Sequence, residues 1–461
     1  MSKDTVLEQL AGIVGEEHVE RRAQAYVVSP RSTDEIQKIV RAANQHGFKL
    51  FTRVCDDEYH GINGIPSGGV LFDFSRMDRI TNLDPKSRSV TIEPGVTFLR
   101  LQKELEKHGL RAMNPMGLPS TTPVLNFYME RGTLLSAPKP LLSNGWQCIL
   151  EMEIILPTGD ILKTGAAAMD NREKPFFWPF GGGPDLSRLF TASQGTLGIA
   201  SKITIKVKKI PESRKILFVP FNKIVEAVET LYRIQRLEIG EECLLLNNFA
   251  MWALISDDSL ELEALHRLPD WTLLLCLTGP EEKTKYQEED VRDLGIEPRT
   301  ALPGFERIAE EFLEELSYPQ RISRLLGYKE VCRKISFYTT LDRLPELNSA
   351  LQRLIRRHKY PENEVGVSIT PVELGRACFS EYYIYANQEK GEKTRLERLH
   401  IEAYEQLVNL GANIDRPFGP VAEMVYSRNP VYYSFLKSVK KQLDPNNVMN
   451  PGRLFGNTGG G

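Results

Sequence analysis

A mixed α+β fold in two domains is what this chain predicts, and three observations carry the prediction. Its 461 residues exceed what one hydrophobic core usually supports. Segments with helical spacing of apolar residues alternate with short period-two runs along most of the length. The stretch from Phe176 to Ile199, FFWPFGGGPDLSRLFTASQGTLGI, packs aromatics and glycines into a place where main chain rather than side chain meets something. Glycine has no Cβ, so Gly181–Gly183 and the pair Gly195 and Gly198 let the backbone turn with φ > 0 or approach a flat ligand. Taken alone, those glycines equally describe a tight connector in a large α/β protein.

The elements follow in order. Thr5 to Val14 is an amphipathic helix with Val6, Leu7, Leu10, Ile13 and Val14 on one side. Tyr26 to Ser29 is a strand, and Ser32 or Thr33 caps a helix from Asp34 to His46. Lys49–Thr52 is the next strand, followed by the loop Arg53–Gly61. Val70–Phe74 is a strand, Thr91–Val96 ends another one in a turn, and Phe98–His108 is a helix. Cys148–Leu156 and Ile161–Lys163 flank the turn Pro157–Asp160, and Ile199–Val207 alternates as a half-buried strand. Beyond Pro211, Lys215–Pro220, Cys243–Leu246, Trp271–Leu277, Val331–Tyr338, Gly366–Thr370 and Ser380–Tyr385 read as strands. They alternate with helices at Phe221–Leu237, Glu281–Asp293, Leu341–His358 and Leu396–Leu410, a βαβ-type pattern suited to a second α/β domain.

Composition excludes several classes. Hydrophobic residues make up 41% and charged residues 26%, the balance of a globular protein. A net charge of −3 without a long basic run leaves no electrostatic footprint for nucleic acid. No apolar stretch approaches the ~20 residues of a membrane span. The opening residues lack the apolar core of a signal peptide, so a cytoplasmic location is expected, with association through a partner subunit left open. Cys55, Cys148, Cys243, Cys276, Cys332 and Cys378 are scattered, with no CxxC or His/Cys cluster, so reduced thiols and no metal site are expected.

Eight short motifs in a fixed order then carry a resemblance. They are Tyr26-Val-Val-Ser-Pro with Thr33-Asp-Glu-Ile, Gly69-Val-Leu-Phe-Asp-Phe-Ser-Arg-Met77, Thr91-Ile-Glu-Pro-Gly-Val-Thr97, Met129-Glu-Arg-Gly132, Leu162-Lys-Thr-Gly165, Phe180-Gly-Gly-Gly-Pro-Asp-Leu186, Ser193-Gln-Gly-Thr-Leu-Gly-Ile199 and Asp444-Pro-Asn-Asn-Val-Met-Asn-Pro-Gly452. Over nearly the whole chain the sequence resembles the FAD-linked oxidases of the vanillyl-alcohol oxidase and p-cresol methylhydroxylase superfamily. The Glu-Arg-Gly and Phe-Gly-Gly-Gly-Pro-Asp-Leu pieces look closer to the vanillyl-alcohol and cresol branch than to the glycolate and lactate branch. The resemblance implies an α+β architecture: a two-subdomain PCMH-type FAD-binding domain over 1–210, a ferredoxin-like α/β cap over 211–425, and a return to the FAD-binding domain over 426–461. It implies non-covalent FAD at the interface, with Thr52, Arg53, Gly95, Gly132, Gly195, Gly198, Ile199 and Asn450 as cofactor-binding residues. A homodimer or a partner subunit is a further family-level expectation.

The departures define the alternative. In this family the loop after Thr52 is glycine-rich and cradles the diphosphate, whereas here it contains Asp56-Asp57-Glu58, whose like charges repel by about 4 kcal/mol per close pair at intermediate dielectric. The bulk of Asn126, Phe127 and Tyr128 before the Glu-Arg-Gly is expected to crowd a closely approaching cofactor. The cap segment Ala377–Glu381 has no linking histidine, leaving Cys378, Tyr382, Tyr383 and Tyr385 as substitutes, and His60 reads as a loop histidine. Where phenol-oxidising members hold a phenolate with a Tyr-Arg pair, this chain has Asp415-Arg416, and Met116–Ser120 offers no counterpart to their catalytic acid. A para-substituted phenol is therefore not supported.

With FAD bound, the expected chemistry is hydride transfer from a small organic substrate, anionic or of aromatic-alcohol type, to flavin N5. Arg416 is the expected anion clamp, and Glu423, Tyr426 and Tyr383 are the candidate acid/base residues. Oxygen, a quinone or an electron-transfer partner could each reoxidise the flavin. The rival expectation is a flavin-deficient, non-catalytic subunit or scaffold of a larger redox complex.

Overall fold

The computed structural model describes residues 3–52, 65–115, 118–169, 176–255 and 262–454. The helix Lys3–Val14 leads into the first sheet, built from β1 (Val19–Arg22), β2 (Ala25–Val28), β3 (Leu50–Phe51) and β4 (Val70–Phe72) in the order β1-β2-β4-β3. β2 and β3 both run parallel to β4, which requires a crossover, and the helix Thr33–His46 supplies it. That helix starts where the Ser32 side chain accepts from the Glu35 N–H at 3.2 Å, and it buries Ile36, Ile39, Val40 and Ala43 on the sheet.

Seven further strands follow: β5 (Ile80–Asp84), β6 (Ser89–Ile92), β7 (Leu110–Arg111), β8 (Ile149–Ile155), β9 (Ile161–Lys163), β10 (Ile199–Lys206) and β11 (Lys208–Lys209). Five of them form an antiparallel second sheet, β5-β6-β10-β8-β9, while β7 and β11 pair as a short ribbon. The helix Phe98–Glu106 and the short helix Val124–Met129 pack on its inner face.

The third sheet contains β12 (Ser213–Phe221), β13 (Glu242–Asn247), β14 (Trp271–Gly279), β15 (Val331–Thr339), β16 (Gly366–Val372) and β17 (Ala377–Ala386), ordered β12-β14-β13-β16-β17-β15. Every pairing in it is antiparallel. The strand–helix alternation of this half therefore does not build parallel crossovers. Its helices return the chain across a face instead. One face packs against Ile224–Arg236, Leu344–Arg357 and Lys390–Asn409. The other packs against Asn248–Ile255, Ile308–Ser317 and Ile322–Leu326, and also reaches Leu135.

The third sheet is docked on the β7–β11 ribbon by a largely buried ion cluster. Arg111 on β7 donates to Glu242 at 2.8 Å and to Glu241 at 3.1 Å, and Lys208 on β11 joins Glu241. Breaking such a cluster at one partner strands the others without compensation, so it fixes registry more than it adds stability.

On the helix Lys390–Asn409, buried His400 donates Nε2–H to the Lys334 carbonyl at 3.1 Å and meets the Tyr404 ring edge-on. Burial disfavours the imidazolium and lowers the pKa to about 4, against about 6.5 for an unfolded histidine. Between those values the unfolded chain binds a proton that the folded chain refuses. This contribution to stability is complete above the unfolded value and falls by about 1.4 kcal/mol per pH unit down to the folded one. His400→Gln should flatten that part of the profile of urea midpoint against pH. An unaltered slope would show that another group governs acid unfolding.

Candidate functional site

One side chain joins three distant segments. The Thr52 N–H donates to Asn450 Oδ1 at 2.9 Å, and Asn450 Nδ2 donates to Thr52 Oγ1 at 2.9 Å and to the Gln194 carbonyl at 2.7 Å. Gly195 lies against this pair so closely that a Cβ would fall 2.3 Å from Asn450 Nδ2 and 2.5 Å from Thr52 Oγ1. Left-handed backbone concentrates here: Arg131 (φ 55°), Ala192 (φ 57°), Gln194 (φ 52°), Gly195 (φ 66°) and Asn450 (φ 41°). Such conformations persist in non-glycine residues only where the surroundings over-determine them, and they cluster at functional sites.

A second anchor lies behind the first. Lys440 Nζ donates to the carbonyls of Thr196 at 2.7 Å and Met449 at 2.8 Å and to Asp444 Oδ2 at 2.5 Å. Asp444 in turn accepts the N–H groups of Val448 and Met449, each at 2.9 Å. Burial lowers the Lys440 pKa, an effect that the Asp444 carboxylate opposes.

In front of these anchors a cleft is lined by Thr52, Phe74, Asn126, Met129, Glu130, Ser193, Gly195, Gly198 and Ile199. Of the expected cofactor residues, Thr52, Gly195, Gly198 and Ile199 lie on this cleft and Asn450 braces it. Arg53 and the acidic run of its loop fall outside the described residues.

Two other glycines have a different use. A Cβ on Gly132 would lie 2.1 Å from the Phe127 ring, and one on Gly95 would lie 2.2 Å from the Phe74 carbonyl oxygen. Their missing side chains make room for the protein itself. For the same reason Phe127 and Tyr128 do not crowd the cleft. On the short helix Val124–Met129, Asn126 and Met129 share one face, and Phe127 and Tyr128 turn into the core. There Phe98 meets both rings edge-on, and the Tyr128 hydroxyl donates to the Met113 carbonyl at 3.0 Å.

Beside the cleft, a second cluster forms where the third sheet meets this wall. The Gln194 side chain donates to the Pro417 carbonyl at 2.9 Å, which ties the strained wall to the segment carrying Asp415 and Arg416. The Arg416 side chain is only 9% exposed, with Nε 3.7 Å from Asp415 Oδ1 and the guanidinium 5.8 Å from the Phe379 ring centroid. Phe379 packs on Tyr338 at 4.8 Å, and the Tyr338 hydroxyl shares a 2.7 Å hydrogen bond with Thr133. Arg131 donates to Thr191 Oγ1 and to the Arg188 carbonyl, each at 3.1 Å. Burial pushes the Asp415 carboxyl pKa up, while Arg416 and Arg131 pull it down. Burial, reinforced by the Asp415 carboxylate, raises the Tyr338 phenol.

The expected acid/base residues separate. The half-buried Tyr426 lies within electrostatic range of Arg131 and Asp415, its ring stacked 5.6 Å from Tyr433, and burial raises its pKa. Tyr383 is fully buried and spends its hydroxyl on Glu381 Oε2 at 3.1 Å, so it braces Glu381 from within the sheet. Glu423 is exposed on the surface of the helix Gly419–Tyr426 and does not join the cluster. Cys378 and Tyr382 face the opposite, helix-covered side of the third sheet. The Cys378 thiol is pushed up to about 12 by burial, and the Tyr382 hydroxyl donates to Asn348. Neither side chain faces the cleft. Reading the sequence had passed over Tyr338, Glu381 and Arg131 as site residues. A carboxylate at an inward position of an otherwise apolar strand was the available signal for Glu381.

A family model for the FAD binding domain matches residues 24–165, and one for the C-terminal domain of FAD linked oxidases matches 210–454. The chain belongs to the FAD-linked oxidases. It is 24% identical over 448 residues to a glycolate oxidase subunit of Bacillus subtilis, covering 93% of this chain and 88% of that one. It is also 24% identical over 451 residues to a mitochondrial D-lactate dehydrogenase [cytochrome] of Arabidopsis thaliana, covering 93% and 73%. The 4-cresol dehydrogenase flavoprotein subunit of Pseudomonas putida is 26% identical over 208 residues, covering 44% and 38%. Among solved structures, 4-ethylphenol oxidase from Gulosibacter chungangensis superposes with a TM-score of 0.85 at 18% identity, over 99% of this chain and 97% of that one. A p-cresol methylhydroxylase superposes with a TM-score of 0.81 at 17% identity, over 98% and 97%. These superpositions establish a PCMH-type α+β fold for this FAD-linked oxidase.

FAD is the cofactor, and the lining of the cleft is of the right chemical kind for it. Phe74, Met129 and Ile199 offer apolar contact to a flat ring, while Thr52, Asn126 and Ser193 supply polar edges. The Gln194 side-chain oxygen is fully buried with no donor among the described residues, on the side chain that reaches the Pro417 carbonyl. Asn450→Ala removes three hydrogen bonds worth about 3 kcal/mol together and should sharply lower the FAD-to-protein ratio measured by absorbance. Gly195→Val should do the same through the clash with Asn450. Full flavin content in either folded variant would place the ring elsewhere.

Proposed function

We propose that this oxidase removes a hydride from a small anionic hydroxy compound and delivers it to FAD, with Arg416 holding the anionic group. The observation that carries this reading is the cluster of Arg416, Arg131 and Asp415 beside the cleft, tied to its wall by Gln194. Arg416 and Arg131 together set two guanidinium groups around the Asp415 carboxylate. Burial and Asp415 keep the phenols of Tyr338 and Tyr426 protonated and neutral. Those cations suit an anionic group. A planar guanidinium also suits a carboxylate through its two-pronged geometry.

The names of two relatives that match 93% of this chain, a glycolate oxidase subunit and a D-lactate dehydrogenase, refer to 2-hydroxy acids and support the same class. The likeness to phenol oxidases is one of fold. The subunit names of two relatives further support a partner that takes the electrons onward.

The test is anaerobic mixing of the FAD-loaded protein with glycolate, D-lactate and 4-ethylphenol while following the visible flavin band. The 2-hydroxy acids should bleach it and the phenol should not. Arg416→Gln should lower the apparent second-order rate about 100-fold, the equivalent of roughly 3 kcal/mol for a charge-assisted pair. Bleaching by the phenol alone, or an unaffected Arg416 variant, would overturn the assignment.

A further inference from the structure

We infer that Asp415 accepts the hydroxyl proton of the substrate; this rests on Arg416 being the anion clamp of the same site. The backbone holds Asp415 from both sides. Two residues before it, Asn413 exchanges both main-chain hydrogen bonds with Tyr338, each at 2.8 Å, which pins the segment to the edge strand β15 of the third sheet. Two residues after it, the Pro417 carbonyl accepts from Gln194 in the cleft wall. Held at both ends between these elements, the Asp415 carboxylate is set beside Arg416, with Oδ1 3.7 Å from the guanidinium Nε.

The surrounding groups do not compete for the role. Tyr338 is engaged with Thr133 and Tyr426 is stacked on Tyr433, and both phenols titrate too high to act as bases. Glu381 accepts the Tyr383 hydroxyl, and Glu423 is exposed. Arg416 and Arg131 face Asp415 as cations and keep its carboxylate available, while its burial makes that carboxylate a stronger base than an exposed aspartate.

The step balances as follows. The hydroxyl proton passes to Asp415 Oδ, and the O–H bonding pair becomes the second bond of the new carbonyl. The hydrogen on the same carbon would leave with its pair to the bound FAD, which supplies the two-electron oxidant, and Asp415 ends as the neutral acid.

Two measurements test this on the FAD-loaded protein. The first is the pH dependence of anaerobic flavin bleaching by D-lactate and glycolate. The wild-type rate should fall below an acid limb lying above the ordinary aspartate range. Asp415→Asn should be about 100- to 10,000-fold slower and lack that limb, and Asp415→Glu should recover part of both. The second needs no turnover: calorimetric titration with oxalate in buffers of different ionisation enthalpy. An anion bound beside Asp415 raises its pKa, so binding should take up a fraction of a proton near pH 5, and Asp415→Asn should bind oxalate without that uptake. Wild-type bleaching in Asp415→Asn, or unaltered proton uptake, would overturn the assignment. Failure of the clamp shows separately, as unchanged oxalate affinity in Arg416→Gln.

Discussion

Asn450 is the constraint on which the site depends. Its amide joins Thr52 at the end of β3, Gln194 in the glycine-rich wall, and the C-terminal return that carries Asn450 itself. The wall is an unfavourable conformation by itself. Its two non-glycine residues with positive φ, Ala192 and Gln194, each cost on the order of 1 kcal/mol or more. The strained turn persists because the Asn450 amide and the ammonium of Lys440 satisfy its carbonyls from behind, through Gln194 and Thr196. A segment near residue 450 therefore completes a surface laid down near residue 195, and neither holds its shape without the other.

The second cluster depends on contacts remote from it. Arg416 and Asp415 keep their place beside the cleft wall only if the third sheet keeps its place on the first half of the chain. The Arg111–Glu241–Glu242 cluster secures one side of that junction. The hairpin between β16 and β17 secures another: Glu373 and Leu374, both with positive φ, donate their N–H groups to the carbonyls of Ala137 and Pro138, each at 2.8 Å. The rigidity is thus distributed around the rim, and the residues proposed for chemistry are spared a structural load.

How far the sequence discloses this follows from what its patterns encode. The helix Thr33–His46 and the strand Ile199–Lys206 announce themselves because one face is apolar and the other polar. The helix Asn248–Ile255 does not, since Phe249 through Ile255 are all buried and no period remains to read. Glycines disclose only that a Cβ is excluded and leave its neighbour unnamed. At Gly195 the neighbours are Asn450 and Thr52 of the cofactor wall, whereas at Gly132 the neighbour is the Phe127 ring. The same spacing of glycines was compatible with both, and the mistaken expectation of crowding at Phe127 and Tyr128 had the same origin. Their bulk is visible in one dimension, but the roughly 100° turn per residue that points them inward is not. Glu381 was missed because a lone acid in an aromatic strand looks like an interruption until Tyr383 is seen to hold it.

The pairing of Asp415 with Arg416 is where fold and chemistry part company. A shared PCMH-type fold delivers a cleft, a strained wall and a sheet closing over it, and these parts are indifferent to the substrate. On the proposed reading, selectivity comes from the few charges placed at the junction. An arginine beside neutral phenols would attract any anion, a phenolate included. With an adjacent carboxylate, the same arginine favours a ligand that brings both a negative charge and a proton to give. Only such a ligand satisfies the guanidinium and the carboxylate at once, and a site whose buried polar groups must both be satisfied rejects molecules that satisfy just one.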